Sequence, residues 1–183
     1  MRYLLSLLAA VSLTAIASPW QIIPDKSSIV FHGTNSGTEF NGSFKSWNGN
    51  IEFDPNKLND SNAFIYIDLT SVETNNKTYN STLATGEWFD IKSFPKAVYK
   101  TTSFVKDRNK PNHYTVTGSL DIKSLAVPVI MDAEIIIEND TATLNGKAIV
   151  NRLNFDIGKS SDPQGKWVSA QIPLDIKVVA KKG

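Results

Sequence analysis

Apolar and polar residues alternate one by one along much of the chain from Trp20 to Lys182. A period of two is typical of β-strands that bury one face and expose the other. The last segment shows it best, with one apolar face made of Val168, Ala170, Ile172, Leu174, Ile176 and Val178. Its other face carries Ser169, Gln171, Asp175 and Lys177, interrupted by Pro173 and Val179. Because proline cannot donate a ladder hydrogen bond, we expect a strand edge or a bulge at Pro173.

Turn-forming residues divide the alternating pattern into short strands. Besides the last segment, the predicted strands are residues 20–23, 28–33, 38–44, 48–53, 63–69, 97–104, 113–122, 127–137 and 142–150. Helical character is confined to about residues 78–89, where Tyr79, Leu83 and Trp88 share one side. Eight or more strands without crossover helices indicate a sandwich or a closed barrel, and a barrel of about eight strands can hold one small ligand.

The first 17 residues have the organisation of a secretory signal. Arg2 precedes an apolar run from Leu4 to Ile16, and small residues flank a cleavage site after Ala17. We expect cleavage there, export to the periplasm, and a mature domain of residues 18–183. The alternative is an uncut membrane anchor, although the run is shorter than the roughly 20 apolar residues of a transmembrane helix.

Composition excludes several classes of protein. The chain has no cysteine, so disulfides, thiolate metal sites and cysteine nucleophiles are excluded. Its 19 basic and 18 acidic side chains are scattered, which argues against a nucleic-acid partner. The sequence has no internal repeat, and the length after cleavage predicts a single domain.

Short motifs follow one another in a fixed order along the chain. They are Trp20-Gln21-Ile22-Ile23-Pro24-Asp25 with Ser28-Ile29-Val30-Phe31, Phe40-Asn41-Gly42-Ser43-Phe44, Ile67-Asp68-Leu69-Thr70-Ser71-Val72-Glu73-Thr74, Trp88-Phe89-Asp90 through Phe94-Pro95, Tyr114 to Leu120 with Gly118, Val127-Pro128-Val129, and Arg152-Leu153-Asn154-Phe155-Asp156-Ile157-Gly158. This ordered set resembles the YceI-like family of exported, lipocalin-like proteins that bind polyisoprenoid lipids. The motif Phe31-His32-Gly33-Thr34 resembles a branch sometimes found joined to or beside membrane cytochrome b561 domains.

Two positions depart from the family pattern. Many relatives carry a His-Ser pair where this chain has Ser27-Ser28, and an Arg-Asp-x-His-Leu run where it has Tyr79-Asn80-Ser81-Thr82-Leu83. Contacts of those residues to a ligand headgroup are therefore not carried over.

The resemblance implies an all-β fold, a single antiparallel lipocalin-like β-barrel of about eight strands with a short helical segment near its mouth. It implies a periplasmic carrier without cofactor or catalysis that holds an isoprenoid lipid, such as a quinone or polyprenol, in an apolar bore. The candidate ligand-binding residues are Phe31, Phe44, Phe53, Ile65, Leu69, Leu83, Trp88, Phe89, Phe94, Tyr99, Leu120, Met131, Phe155 and Trp167. Among them Leu83, Trp88 and Phe89 are favoured as a lid or entrance. The alternative to a ligand-binding role for the whole set is that the aromatic rings fill a solid core.

Other roles remain open at this point. Arg152 either contacts a headgroup or, as we favour, pairs with a carboxylate such as Asp156. Two separated histidines argue against a metal site, and the absence of nucleophile-elbow, phosphate-loop and zinc motifs argues against an enzyme. An enzyme acting on a lipid held in the cavity stays an alternative. Another is an accessory protein that docks on a membrane b-type cytochrome through Phe64 and Tyr66, which alternation places outside.

Overall fold

The computed structural model describes residues 19–183, and the predicted signal at residues 1–17 lies outside them. The strands, in chain order, are β1 (Trp20–Ile22), β2 (Ser28–Asn35), β3 (Thr38–Phe44), β4 (Trp47–Glu52), β5 (Asn62–Asp68), β6 (Val72–Glu73), β7 (Lys96–Lys106), β8 (His113–Ile122), β9 (Leu125–Glu138), β10 (Thr141–Asn151) and β11 (Gln171–Lys182). One α-helix, α1 (Lys77–Leu83), follows β6. No helix in the described part of the chain is long and apolar enough to cross a membrane.

The sheet closes into a barrel of eight strands, three of which are each divided into two of the numbered segments. Strand β11 pairs with both β1 and β2, so these two form one broken strand. In the same way, β3 pairs with β2 while β4 pairs with β1, so β3 and β4 are parts of one strand. Next, β6 pairs with β3 while β5 pairs with β4, so β5 and β6 are also parts of one strand. Strands β7 to β11 continue antiparallel in chain order, and β11 returns to β1. The predicted barrel is confirmed, and the sandwich is wrong.

One end of the barrel, here named the closed end, is sealed by aromatic rings. Phe53 lies with its ring centroid 5.4 Å from the rings of both Phe104 and Tyr114. The Trp20 indole donates a hydrogen bond to the Phe53 carbonyl at 2.9 Å. All four side chains are buried. A ligand therefore has no way in at this end.

The opposite end, named the mouth, carries α1 and the long connection from β10 to β11. Asn76 caps α1 by accepting from the backbone N–H groups of Thr78 and Tyr79. The helix ends at Leu83, six residues before the predicted end at residue 89. The Thr85 hydroxyl donates to the Thr82 carbonyl at 2.7 Å, and Gly86 is a poor helix former. The chain therefore folds back, and Phe89 N–H reaches the Leu83 carbonyl at 3.0 Å.

Pro173 lies at a break in the sheet. Its pairing to Ile149 of β10 is continuous with the rest of that ladder, but the pairing of β11 with β2 starts only at Leu174. The next link to β2 is an isolated bridge between Val168 and Asn35. The expected edge or bulge at Pro173 is confirmed. Strand β11 begins at Gln171, later than the alternation suggests, because the backbone of residues 166–168 bonds instead to Asp162.

Two glycines on the inner face make room for rings against the barrel wall. A Cβ on Gly42 would overlap the end of the Phe31 ring, which lies directly across the strand pair. A Cβ on Gly118 would come within 2.6 Å of the Tyr99 hydroxyl oxygen. Because these rings lie over glycines, they take up less of the space at the centre of the barrel.

We predict that Gly42→Ala destabilises the fold by about 1–3 kcal/mol, because the methyl group displaces the Phe31 ring in a packed wall. Gly86→Ala is the matched control, since a Cβ there would be 4.0 Å from its nearest neighbour, the Asp90 carboxylate. It should change stability by less than about 0.5 kcal/mol. Urea unfolding midpoints measure both effects, and equal midpoints for the two variants would contradict the prediction.

Candidate functional site

An apolar cavity of about 210 Å³ lies inside the barrel, lined by side chains of all eight barrel strands, of α1 and of the β10–β11 connection. A single water molecule needs only about 10–15 Å³ of such space, so the cavity is far larger than a packing defect. The alternative of a solid aromatic core is therefore wrong. The Phe104 ring, which also belongs to the aromatic cluster of the closed end, forms the floor of the cavity.

Most of the predicted contact residues surround this cavity. Those that line it are Phe31, Phe44, Ile65, Leu69, Leu83, Trp88, Phe89, Tyr99, Leu120, Met131 and Phe155. Their placement follows from the period-two pattern, since inner-face residues of a closed sheet all face the bore. That they bind a ligand stays a prediction.

Three of the predicted residues do not line the cavity. Phe53 is buried in the aromatic cluster of the closed end. Phe94 is half-buried in the turn after Asp90, whose carbonyl accepts from its N–H at 2.8 Å. Trp167 is 67% exposed on the connection before β11. Alternation fails for Phe94 and Trp167 because neither residue is in a strand. Phe53 directly follows the last residue of β4 and is buried at the sealed end of the barrel.

A smaller pocket of about 60 Å³ lies at the mouth, between α1 and the β2–β3 hairpin. It shares four lining residues with the main cavity: Phe40, Leu83, Trp88 and Val168. The Asn35 amide donates to the Tyr79 hydroxyl at 3.2 Å and so joins the hairpin to α1. These contacts bring the cavity close to the surface at Leu83 and Trp88, which supports their predicted role at an entrance.

Arg152 is a buried structural residue of the mouth, only 3% exposed. Its Nη2 lies 2.7 Å from Oδ2 of Asp162, and its Nη1 donates to the Ile157 carbonyl at 2.6 Å. Its guanidinium also lies 5.4 Å from the centre of the Trp88 ring. The structural role is confirmed, but Asp156 as its partner is wrong. Asp156 ends a short 3₁₀ helix with a φ of 52°, and its exposed carboxylate pairs with Lys159.

The Asp162 carboxylate organises the connection between β10 and β11. It accepts hydrogen bonds from the backbone N–H groups of Lys166, Trp167 and Val168. Burial by itself raises the pKa of Asp162, but these three donors and Arg152 outweigh it and hold the pKa below its ordinary value of 3.8. The stabilising effect of the ionised carboxylate is therefore complete above about that pH and is lost as the pH falls through the lowered pKa.

Gly158 ends the motif that begins at Arg152. Its φ of +63° is a conformation that favours glycine. A Cβ at this position would be 2.9 Å from Nη1 of Arg152 and 3.0 Å from the Trp88 ring. The residues of the motif from Arg152 to Gly158 therefore have structural roles at the mouth.

Two hydroxyl groups lie on the wall of the bore. The Thr101 hydroxyl oxygen accepts from Ala63 N–H at 2.7 Å and lies 3.3 Å from the Ala63 carbonyl, so it is satisfied. The Tyr99 hydroxyl is buried and has no hydrogen-bond partner among the described residues. Burial raises the pKa of Tyr99 to about 12, which keeps this hydroxyl neutral. Sequence reasoning named Tyr99 as lining but could not show that it lacks a partner.

The outer surface carries the remaining sequence candidates. His32 lies 2.9 Å from Asp175 and His113 lies 3.9 Å from Glu134, each as a separate pair. Within residues 19–183, no three His, Asp or Glu side chains gather as metal ligands would. Tyr66 is 46% exposed and lies against Phe64, with 4.8 Å between ring centroids. Their docking role remains a prediction.

Comparison with known proteins identifies the family. The model of the YceI-like domain matches residues 20–180. The chain belongs to the YceI-like family. A YceI-like relative, a UPF0312 protein of Photorhabdus laumondii, is 29% identical over 140 residues, which is 71% of each chain. Matches to further UPF0312 and YceI proteins span between 50% and 71% of those proteins, for example 50% in Salmonella arizonae and 58% in Vibrio parahaemolyticus.

Solved structures show the same barrel. BcnA of Burkholderia cenocepacia is 26% identical, with a TM-score of 0.82 over 87% of this chain and 99% of that chain. A polyisoprenoid binding domain from Saccharophagus degradans is 12% identical, with a TM-score of 0.71 over 92% of this chain and all of that chain, 100%. At 12% identity this likeness shows only that the fold is shared.

We predict that Arg152→Met costs about 3–5 kcal/mol of stability, because it leaves a buried carboxylate without its cation. Lys159→Met is the control, since the Lys159–Asp156 pair has both side chains about half exposed. Its loss should cost under about 1 kcal/mol. Denaturant unfolding measures both, and an Arg152→Met variant as stable as Lys159→Met would refute the structural role.

The raised pKa of Tyr99 predicts a pH-dependent difference from Tyr99→Phe. Above pH 10.0, the ordinary tyrosine pKa, the unfolded state loses its proton while the folded state resists until about 12. Wild type should therefore lose up to roughly 2 kcal/mol relative to Tyr99→Phe as the pH rises through that window. Unfolding curves of both proteins from about pH 9 to about pH 12 measure the difference. A difference that stays constant with pH would contradict the raised pKa.

Proposed function

We propose that this protein is a periplasmic carrier that holds an isoprenoid lipid, of quinone or polyprenol type, in the bore of its barrel and performs no chemistry on it. The observation that carries this proposal is the hollow apolar bore of about 210 Å³, closed at one end and close to the surface at the other. The polyisoprenoid binding domain of Saccharophagus degradans, which shares the fold, supports the choice of ligand class.

The physical chemistry of the wall favours a long hydrocarbon. Apart from Tyr99, Thr101 and Arg152, the lining side chains are aliphatic or aromatic, and the latter two already have partners. Each buried methylene contributes roughly 0.8 kcal/mol, so several isoprene units together offset the cost of immobilising the chain. Affinity then follows chain length and shape, and no charged anchor is needed.

The periplasmic location rests on the sequence of residues 1–17, with its charged start, apolar run and small residues before the cut. A lipid carrier is useful in an aqueous compartment beside a membrane, because its ligand is insoluble there. Cell fractionation of the full-length chain, with detection of the cleaved form in the periplasmic fraction, tests this part of the proposal.

Organic extraction of the purified protein followed by mass spectrometry tests the carrier function directly. A long-chain isoprenoid in a ratio near one per protein supports it. Protein purified from its native compartment that yields no lipid, and that takes none up from an isoprenoid mixture, would reject it.

We predict that Ala148→Phe lowers the amount of co-purified lipid at least about tenfold, the ratio that a loss of about 1.4 kcal/mol produces. Ala148 lines the cavity, so the new ring occupies ligand space. Lys147→Phe is the matched control, because Lys147 immediately precedes Ala148 in β10 and its side chain is 86% exposed on the outer face. It should retain the lipid. Circular dichroism checks that both variants keep the barrel, and equal lipid content in both would contradict the location of the site.

A further inference from the structure

The main cavity comes close to the surface at the border between α1 and the β2–β3 hairpin, here named the seam. The smaller pocket lies at the seam and shares lining residues with the cavity. Two of the shared residues come from opposite sides of it, since Phe40 belongs to β3 and Leu83 is the last residue of α1. A ligand that leaves the bore here passes between the helix and the hairpin, so the contacts between these two elements control its passage.

One residue of α1, Tyr79, joins the two sides of the seam. Its hydroxyl accepts from the Asn35 amide at 3.2 Å, and its ring meets the edge of the Phe40 ring with 5.7 Å between centroids. Within residues 19–183, no other hydrogen bond links α1 to the hairpin. Tyr79 borders the smaller pocket but is not part of the lining of the main cavity. Its contacts therefore hold the helix in place and do not hold a ligand in the bore.

The other borders of the mouth are fixed through the backbone. Where the hairpin meets the β10–β11 connection, Ser36 N–H donates to the Trp167 carbonyl at 2.7 Å. Where that connection meets the segment after α1, Gly158 N–H donates to the Glu87 carbonyl at 2.8 Å. The seam has no backbone hydrogen bond of this kind in the described part of the chain, and it is therefore the border of the mouth that opens most easily.

A second side of α1 is anchored to the end of β6 through Asn80. The Asn80 side-chain oxygen accepts from the Thr74 hydroxyl at 2.6 Å and from Thr74 N–H at 2.9 Å. Its amide donates to the Glu73 carboxylate at 3.0 Å. Strand β6 is in turn paired with β3 of the barrel. The helix is thus tied to the barrel along one side and held at the seam by Tyr79, which is the arrangement of a hinge and a latch.

We propose that α1 is a lid over the bore, that Tyr79 is its latch, and that the lipid enters and leaves through the seam. This inference rests on the proposed carrier function and adds the route of the ligand. Opening breaks one neutral hydrogen bond and one aromatic contact, which costs little beside the burial that holds a long hydrocarbon. It moves Leu83 away from the bore, while Trp88 stays under the Arg152 guanidinium. A tightly bound lipid can then exchange without unfolding of the barrel.

Transfer of bound all-trans-retinol, a neutral isoprenoid alcohol, into excess phosphatidylcholine vesicles tests the latch. Energy transfer from tryptophan to retinol reports the bound fraction, and rapid mixing gives the rates of release and of uptake. Tyr79→Phe keeps the contact with Phe40 but cannot accept the hydrogen bond, so it should raise both rates about fivefold. Tyr79→Ala loses both contacts and should raise them about twentyfold. The affinity should change by less than about twofold, because the latch acts on the lid in the empty and in the loaded barrel alike.

Tyr66→Phe is the matched control for the latch variants. Tyr66 is 46% exposed on the outer face of β5, where it lies against Phe64. Loss of its hydroxyl should leave both rates and the affinity unchanged.

A covalent latch tests the route. The chain has no cysteine, so in the double variant Asn35→Cys with Tyr79→Cys a short bismaleimide has only these two thiols to join. The crosslink should slow release at least about tenfold below the wild-type rate, because the lid can no longer open. The matched control is Ser36→Cys with Trp167→Cys, across a border that a backbone hydrogen bond already fixes. Its crosslink should change the rate by less than about twofold.

The outcomes separate the lid from the carrier function. If the two Tyr79 variants change neither rate, or raise release alone and weaken affinity by the same factor, the latch is rejected and the carrier function stands. If the crosslinked seam releases retinol as fast as the crosslinked control, the route is rejected and the carrier function again stands. If wild type binds no retinol and yields no lipid on extraction, both proposals fail. Faster exchange at unchanged affinity, together with slow release across the crosslinked seam, supports both.

Discussion

The closure of the sheet through the pairing of β1 with β11 is the constraint on which the rest of the structure depends. In an open sheet a second layer would cover the apolar face, but in a closed one each inner side chain faces the opposite wall. Eight strands make an interior that side chains can almost fill, so the size of the residues on the inner face decides whether a cavity remains. Here Gly42 and Gly118 lie beneath rings, and Ala97 and Ala148 add little volume. The bore is therefore a consequence of small residues at particular inner positions.

The two ends of the barrel are built by different interactions. The closed end is an apolar cluster of four rings, which needs only shape and burial. The mouth depends on Arg152 and Asp162, whose buried pair also binds the backbone of the β10–β11 connection. A buried ion pair is weak evidence of net stability, but it accepts only one arrangement of its neighbours. It thus fixes Trp88, under the guanidinium, at the point where the cavity approaches the surface.

Period-two alternation predicted the strands other than the short β6 and indicated their inner faces, because in a closed sheet that pattern directly reports which side is buried. It could not predict that β1 and β2 are parts of one strand, since this follows from their common partner β11. Nor could it place Trp167, because outside strands the alternation has no structural meaning. Asp162 as the partner of Arg152 was missed since the two are ten residues apart across a folded connection. The turn-rich sequence after Gly158 does indicate that this connection folds back towards β11.

The hollow interior links stability to ligand binding. An empty apolar cavity forfeits dispersion contacts that its lining would otherwise make, and this lowers the stability of the unliganded barrel. A lipid that fills the bore restores those contacts and stabilises the folded state by mass action. The wall positions that lower the stability of the empty barrel are therefore the positions at which a bound lipid would restore contacts.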